Sequence, residues 1–380
     1  MTRKTNGKKP EKQSQSASGN RELVRKLKEA AAAGDPEKQF LLALRYENGR
    51  GVRKDPEKYM FWLKEAGSRG HVEAEFSLGM EYHTGRYVPK DWKLAFRWFE
   101  KAAKKSYAGA EYILFVYYDN GIHALRDLDK ARYWAERAAK HGHSRAQYYI
   151  SDYYRQIGDT KLAVFWTKKA AGQEEPEAQY NLGIYHIFGD YVRKSEKLAA
   201  CWIRKAADQG LPEAEYYMGR FYSDGTGVPK DQKEAFRWFK KAAYNRNPEA
   251  QYFLGRCYFE GIGVKANLKN AKIWFHLAAE WGVPEAMLGY ARCLLKKKQG
   301  ENDLKEAVYW LKEAISRDVA GAYGTLGILT YNGWGVKKNK KKAAELLGKA
   351  AEKGDKEAKK LLDMIDPPKA KEAKTGGKKP

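Results

Sequence analysis

The chain has 380 residues, of which 72 are Lys or Arg and 48 are Asp or Glu, and its formal net charge is +24. Its apolar share of 43% is close to the globular norm of roughly 45–50%, which excludes a chain that is disordered throughout. No apolar run approaches the ~20 residues of a membrane-spanning helix, and three cysteines cannot build a disulfide framework. These features predict a protein of the reducing cytoplasm without a membrane span.

The N-terminal part of the chain is basic and contains few apolar residues. Residues 1–20 carry five Lys or Arg and one acid, and they lack the apolar stretch of a signal peptide. This composition predicts a disordered basic tail. Residues 21–34 follow with a helical pattern that stops at Gly34, which predicts an N-terminal capping helix.

One short pattern recurs nine times between residues 35 and 355. Its marker is usually Ala, the spacing is 36 residues with one spacing of 32, and we number the repeats 1–9 by this marker. Positions are counted from the marker, and repeat 4, which has the shorter loop, is aligned on its Trp166 after that loop. The markers are Lys38, Ala74, Ala110, Ala146, Ala178, Ala214, Ala250, Ala286 and Ala322.

Each repeat is predicted to form two amphipathic helices. Positions 0, +4, +5 and +8 share one face of a first helix, and Ala at +21, Trp at +24 and Ala at +28 share one face of a second helix. A frequent Gly at +5 allows the helices to approach closely, and the indole at +24 is predicted to fill the space between them. Because a lone helix pair cannot bury its apolar face, the repeats are predicted to stack on one another.

The loop between the two helices carries residues typical of helix ends. Gly at +11 suits the left-handed conformation that ends a helix. An Asp later in the loop is suited to N-cap the second helix. These aspartates are Asp55, Asp91, Asp127 and Asp231.

Residues 356–366 match a first helix with Lys and Asp at its outward positions, which predicts a C-terminal capping helix. Residues 367–380 begin with two prolines and are again basic, with Gly and Lys but little apolar content. They are predicted to form a second disordered tail.

The pattern A-x-x-x-LG-x-x-Y-x-x-G-x-GV-x-x-D-x-x-x-A-x-x-W-x-x-x-AA resembles the Sel1-like repeat family, a relative of the tetratricopeptide repeats. Repeats 2, 6 and 7 match it best, whereas repeat 4 turns at Gly158-Asp159 and repeat 8 has a different loop over residues 296–303. The resemblance implies an all-α fold, a right-handed α/α superhelical solenoid of nine helix-turn-helix repeats. It also implies a scaffold or adaptor that binds segments of partner proteins on its concave surface.

First helices line the concave surface in tetratricopeptide-like stacks, and two columns of side chains there are candidates for binding. Position +2 is aromatic in seven successive repeats; these rings either face a bound peptide or pack between neighbouring first helices. Position +6 is Arg in repeats 6–8 and mostly apolar elsewhere, which suits an acidic segment or a C-terminal carboxylate unless the arginines are simply solvated. The candidates are Tyr112, Tyr148, Tyr180, Tyr216 and Tyr252 at +2, and Arg220, Arg256 and Arg292 at +6.

A third column, at +27 on the second helices, is cationic in five successive repeats. Aligned cations can follow a phosphate backbone because neutralising phosphates releases counterions, and they can equally form an ordinary solvated face. This column and the net charge give an alternative function, the binding of a polyanion such as RNA or an acidic protein. The column, called the basic stripe below, consists of Lys101, Arg137, Lys169, Lys205 and Lys241.

The sequence contains no recognisable catalytic motif. It has neither a GxxxxGK[ST] loop nor HExxH, and its seven histidines are too scattered for a zinc site. A cysteine-rich branch of the resembled family is linked to penicillin hydrolysis, but this chain lacks the paired cysteines and any Ser-x-x-Lys motif. We therefore expect a non-enzymatic protein without a metal or cofactor, with β-lactam hydrolysis as the least favoured alternative, and another protein as its partner.

Overall fold

A computed structural model describes residues 11–123, 125–296 and 300–365, with side chains from residue 22 onward. All regular secondary structure in these ranges is α-helical: they contain twenty helices and no strand. The predicted all-α fold is confirmed. The chain divides into two compact units, residues 1–178 and 179–380, which we call the N-terminal and C-terminal units.

The helices follow the predicted order of first and second helices. Up to the unit boundary they are α1 (Glu11–Ala32), α2 (Pro36–Asn48), α3 (Pro56–Ser68), α4 (Val72–Thr84), α5 (Trp92–Lys104), α6 (Ala108–Asn120), α7 (Leu128–Lys140), α8 (Ser144–Gln156), α9 (Thr160–Gly172) and α10 (Pro176–Phe188), which contains that boundary. The others are α11 (Glu196–Asp208), α12 (Pro212–Asp224), α13 (Gln232–Tyr244), α14 (Pro248–Glu260), α15 (Leu268–Glu280), α16 (Pro284–Leu295), α17 (Glu301–Ser316), α18 (Ala320–Asn332), α19 (Lys340–Glu352) and α20 (Lys356–Ile365).

The residues predicted to end the first helices and to begin the second helices do cap them in the structure. The Gly at +11 adopts a left-handed conformation with φ between 66° and 85° and donates its backbone N–H to the last turn of the first helix in repeats 1, 2, 3, 6, 7 and 9. The loop aspartates cap the second helices; Asp91 Oδ1, for example, accepts the backbone N–H of Leu94 at 2.9 Å. Repeat 4 turns at Gly158, and Asp159 caps α9.

The second Gly of the loop lets it lie against the preceding repeat. Gly227 has φ +67°, and a Cβ on it would stand 2.1 Å from the carbonyl oxygen of Glu196. Gly263 has the same relation to the carbonyl oxygen of Gln232, at 2.0 Å. Each of these oxygens lies at the start of the preceding second helix, so no residue with a side chain fits there without moving the backbone.

Helix α1 begins at Glu11, ten residues before the predicted capping helix. The structure places residues 11–20 in this helix, whereas the sequence predicts a disordered tail over residues 1–20. Half of residues 11–20 are Glu, Lys, Gln or Ala, which favour helix, the other half are Ser, Gly or Asn, and the segment contains no Pro. Residues 1–10 and 367–380, the rest of the predicted tails, lie outside the described residues. Helix α20 matches the predicted C-terminal capping helix to within one residue.

The core of each repeat is centred on the contact between positions +5 and +25. A Cβ on Gly79 would lie 2.5 Å from the Phe99 ring, so only Gly accommodates Phe there. In repeat 3 the large residue stands at +5 and the small one at +25. In repeat 4 both residues carry hydroxyls, and the two hydroxyl oxygens lie 3.0 Å apart. The pairs, all buried, are Ala43–Leu63, Gly79–Phe99, Phe115–Ala135, Ser151–Thr167, Gly183–Ile203, Gly219–Phe239, Gly255–Phe275, Ala291–Leu311 and Gly327–Leu347.

The Trp at +24, predicted to fill the space between the helices, packs against the core from its edge. Of that column only Trp238 is buried, with 8% of its surface exposed, and the other seven tryptophans are partly exposed. Position +24 precedes +25 by about 100° around the helix, so it lies at the edge of the buried face. An indole suits that edge, because its ring covers apolar neighbours while its N–H can reach water.

Candidate peptide-binding surface

The aromatic residues at +2 lie half-buried between successive first helices. We call the side of the first helices that carries positions +2 and +6 the first-helix surface. The Tyr112 ring stacks on His143, the N-cap residue of α8, with ring centres 4.2 Å apart, and Phe40 stacks on His71, the N-cap residue of α4, at 4.6 Å. Burial raises the pKa of Tyr112. These contacts favour packing over binding for this part of the column.

In the C-terminal unit the same column continues with tyrosines that contact rings of the following repeat. Tyr180 meets Tyr217 edge to face at 5.7 Å, and Tyr216 lies 5.7 Å from the Phe253 ring. Tyr252 is half-buried, and desolvation raises its pKa. Tyr148, the remaining member, is also half-buried. The tyrosines therefore present only part of each ring to a ligand.

Two of the three arginines at +6 share one aromatic ring. The guanidinium carbons of Arg220 and Arg256 lie 5.4 and 5.7 Å from the centre of the Phe253 ring, within cation–π range. Arg220 also donates to the Tyr216 hydroxyl at 3.1 Å. The sequence pattern did not single out Phe253, although an aromatic at +3 three residues before an Arg at +6 marks a ring and a cation on the same helix face.

Arg256 and Arg292 line one small cavity between α14 and α16. Its volume is about 120 Å³, and its walls include the rings of Tyr252 and Phe259 together with Leu288. Arg292 is exposed, and no carboxylate partner for it is found within the described residues. The structure thus brings Tyr252, Arg256 and Arg292 together, with one arginine available to a ligand.

Carboxylates of the chain already occupy the other two arginines. Arg256 donates two hydrogen bonds to Glu260, at 3.2 and 3.3 Å, and Arg220 lies 3.7 Å from Asp224. Glu285 also lines the cavity. Of the three arginines at +6, Arg292 is thus the one without a carboxylate partner in the described residues, because acids one helical turn away on the same helices pair with the others.

The cations of the basic stripe lie over aromatic rings of their own helices. Lys101 Nζ is 4.1 Å from the centre of the Trp98 ring, and Lys205 Nζ is 4.3 Å from that of Trp202. Lys169 lies over Phe165 at 5.7 Å. These cations cover the partly exposed rings, so part of the stripe has a structural role.

Two cations of the stripe also form ion pairs with buried carboxylates at position +1. Arg137 Nε donates to Glu111 at 2.9 Å, and Lys241 Nζ lies 3.0 Å from Glu215. Both glutamates are fully buried. A buried carboxylate needs such partners, because burying it unpaired costs several kcal/mol. The sequence reasoning missed this column.

Position +1 is polar and buried in seven repeats, and in repeats 2–6 it bonds the residue at +31, at the end of the second helix. Glu75 bonds Lys105 at 2.8 Å, and Gln179 accepts from Gln209 at 3.0 Å. Gln at +31 accompanies Gln at +1 in repeats 4 and 5, and Lys, His or Asn at +31 accompanies Glu at +1 in repeats 2, 3 and 6. The polar members at +1 are Gln39, Glu75, Glu111, Gln147, Gln179, Glu215 and Gln251.

Comparison with known proteins identifies the repeat. A family model of the Sel1 repeat matches nine segments that together cover most of the chain: residues 37–71, 72–107, 108–143, 144–174, 176–211, 212–247, 248–282, 284–319 and 323–355. The chain belongs to the Sel1 repeat family. The resemblance read from the sequence is confirmed, including the number of repeats and the short repeat 4.

Solved structures include other Sel1 repeat proteins that are similar to this chain. A protective antigen present in uropathogenic Escherichia coli strains, which displays an SLR fold, is 28% identical, with 90% of this chain and 82% of that chain covered and a TM-score of 0.68. A Sel1 repeat protein from Oxalobacter formigenes is also 28% identical, with 90% of each chain covered and a TM-score of 0.43. No curated protein matches the chain.

Two cysteines stand at position +7 of repeats 7 and 8. Cys257 and Cys293 are buried and free, and burial raises their pKa to about 11 and about 12. No group of three or more His, Cys, Asp or Glu in the described ranges is placed to hold a metal ion. Over the same ranges, no helix combines the length and apolar character needed to cross a bilayer.

Proposed function

We propose that the chain is a non-enzymatic scaffold of the cytoplasm that binds a segment of a partner protein on the first-helix surface of repeats 6–8. The Sel1 repeat fold supports the class of function, because stacking occupies the apolar faces and leaves surface grooves for ligands. Three free cysteines, two of them buried, support a reducing compartment.

The observation that carries the proposal is the position of Arg292. It is an exposed guanidinium at the rim of an apolar cavity, and no carboxylate of the described chain pairs with it. A carboxylate of the partner, from an acidic side chain or a chain terminus, would accept its hydrogen bonds. The neighbouring side chain of the partner would then enter the cavity beside Phe259 and Leu288.

Arg256 supplies a second contact that contributes less binding free energy than Arg292. It already bonds Glu260 through two nitrogens, so a partner carboxylate has to displace that glutamate. Exchange of one carboxylate for another gains little free energy and mainly sets orientation. We therefore assign most of the affinity to Arg292 and the cavity.

Affinity capture from lysate with mass spectrometry tests the proposal, with Arg292→Ala as the variant. Arg237→Ala is the matched control, since Arg237 is an exposed arginine on a second helix that pairs with Glu234. Loss of a charged hydrogen bond predicts about tenfold weaker partner recovery for Arg292→Ala, with unchanged melting, and full recovery for Arg237→Ala. Equal recovery with all three proteins contradicts the site.

An RNA gel shift tests the polyanion alternative in parallel. Micromolar or tighter binding at physiological salt with a steep salt slope, unaffected by Arg292→Ala, would replace the proposed function with polyanion binding.

A further inference from the structure

A second surface, far from repeats 6–8 in sequence, is an open groove between α1 and α2. Leu23 and Leu41 on its floor are 54% and 37% exposed, so the groove presents apolar surface to solvent. Its volume is about 360 Å³, and its lining consists of Leu23, Leu27, Ala30 and Leu41 with Lys26, Lys38 and Arg45.

The groove corresponds to an interface that is filled in the complete repeats. Helix α1 aligns with a second helix and places Leu27 at +25, whereas Leu41 stands at +3 of repeat 1. In repeats 6 and 7 these positions are Phe239 and Phe253, and Tyr216 of the preceding first helix, α12, contacts both, at 6.2 and 5.7 Å. Leu27 is already buried at 9% exposure, whereas Leu41 is 37% exposed, and no ring in the described residues stands between them as Tyr216 does between Phe239 and Phe253.

The rim of the groove specifies the charge of an occupant. Lys38 stands where the other eight repeats have the marker Ala, and Arg45 stands at +7, where no other repeat has a basic residue. Lys26 lies 3.7 Å from Glu22, the only acid that pairs with a rim cation in the described residues. Three cations against one acid favour an acidic ligand.

We propose that this groove binds an acidic amphipathic helix of a partner protein in the manner of a first helix. An aromatic ring of that helix packs between Leu27 and Leu41, a small residue faces Leu27, and its acids meet Lys38 and Arg45. The relation between Gly219 and Phe239 in repeat 6 shows why the residue opposite position +25 has to be small.

The chain's own ends do not fit this description. Residues 1–10 contain four Lys or Arg and no acid, and α20 carries three Lys against two acids. Neither complements a basic rim. The site also does not depend on Arg292, so its test and the test of the proposed function can fail separately.

The probe is a synthetic peptide of residues 211–225 of this chain, with blocked ends and a fluorophore. It carries the first helix of repeat 6, with Tyr216 at +2, Gly219 at +5 and three acids against one Arg. Fluorescence anisotropy measures its binding to the full chain. We expect saturable binding below about 1 mM, because a short peptide has to fold into a helix as it binds.

Leu41→Asp tests the groove, and Leu198→Asp on α11 is the control, because Leu198 is 48% exposed in another part of the chain. We expect Leu41→Asp to weaken peptide binding at least about tenfold and Leu198→Asp to leave it unchanged, with equal helicity by circular dichroism. A peptide with Tyr216→Ala should bind more weakly to the unaltered chain. No saturable binding, or equal binding by both variants, overturns the proposal. A concentration-dependent dimer of the chain that Leu41→Asp abolishes also overturns it, in favour of a second copy as the occupant.

Discussion

At the scale of single residues, positions +5 and +25 match each other in size and set how closely the two helices of a repeat approach. The Trp at +24 is the more conspicuous residue in the sequence, but outside repeat 6 it lies partly exposed at the edge of the same contact. Stability should therefore depend more on the buried residue at +25 than on its larger neighbour.

A contrast between Phe239→Ala and Trp202→Ala tests this difference. Phe239 is buried against Gly219, and its loss should lower the free energy of unfolding by about 3–5 kcal/mol. Trp202 keeps part of its surface in water, so its loss should cost clearly less. Urea denaturation measures both, and an equal or larger cost for Trp202→Ala would contradict the assignment.

The exchanged pair in repeat 3 provides a test of size matching by itself. Phe115→Ala should cost about 3–5 kcal/mol through the cavity it leaves, and Ala135→Leu alone about 1–3 kcal/mol through overpacking. Together they reproduce the Ala–Leu pairs of repeats 1 and 8, so the double variant should lose less than the sum by about 1–3 kcal/mol. Purely additive losses in urea denaturation would show that the two positions do not share one space.

The histidine before repeat 4 makes stability depend on pH. His143 Nδ1 accepts the backbone N–H of Ala146 at 3.3 Å, and burial lowers the pKa of its ring from the ordinary 6.5. Glu175 opposes and Arg145 reinforces this shift. Because the unfolded chain binds a proton more readily at this position, the free energy of unfolding should fall as the pH falls below 6.5.

His143→Asn should remove this contribution and keep the cap. Asn247 already serves at the same position of repeat 7, where it accepts the N–H of Ala250 at 2.8 Å. Thermal denaturation between about pH 7.5 and pH 5.5 should show a smaller loss of stability for the variant than for the unaltered chain. Burial also lowers the pKa of His83, and its contribution is common to both proteins. Identical pH profiles would contradict the role of His143.

At the scale of helices, most of the fold could be predicted from the sequence. A period of 36 residues with Gly at +11 and Asp before five of the nine second helices marks where helices end and begin, because few residues satisfy those backbone groups. The start of α1 escaped prediction, since its composition suits both a helix and a solvated tail. The buried column at +1 also escaped, because a Glu or Gln within an amphipathic pattern is ordinarily assigned to the surface.

Two members of the basic stripe differ in what they contact: Arg137 bonds the buried Glu111 at +1, and Lys101 lies over the Trp98 ring. Arg137→Ala leaves the buried Glu111 with one partner fewer and should lower the free energy of unfolding by about 1–3 kcal/mol. Lys101→Ala removes a cation over the exposed edge of Trp98 and should change it by less than about 0.5 kcal/mol. Chemical denaturation decides between them. Equal small effects would mean that the whole stripe is solvated and free for a polyanion.

The candidate site was only partly predictable. The position of the arginines at +6 follows from the helix period, and so does the pairing of Arg256 with Glu260 four residues later. The shared Phe253 ring and the cavity between α14 and α16 depend on how two repeats meet, which the period of one repeat does not specify. Arg292 stands apart because its own helix has no acid one turn later.

At the scale of the whole molecule, the chain forms two compact units although its repeats continue through their boundary. That boundary, between residues 178 and 179, lies in the first helix of repeat 5, a few residues after repeat 4, the repeat with the short spacing. The sequence shows the irregular spacing but predicts a single run of repeats. Both proposed surfaces lie within one unit each, the groove at α1 and α2 in the first and the Arg292 cavity in the second.

The central claim is that packing occupies the repeated columns and that a partner binds where repeats 7 and 8 depart from them. Amide hydrogen exchange of the full chain, with and without the captured partner, measures this most directly. The account predicts that the partner slows exchange in α14 and α16 and leaves the second helices α5, α7, α9, α11 and α13 unchanged. Slowed exchange along those second helices, with no change in α14 and α16, would contradict it.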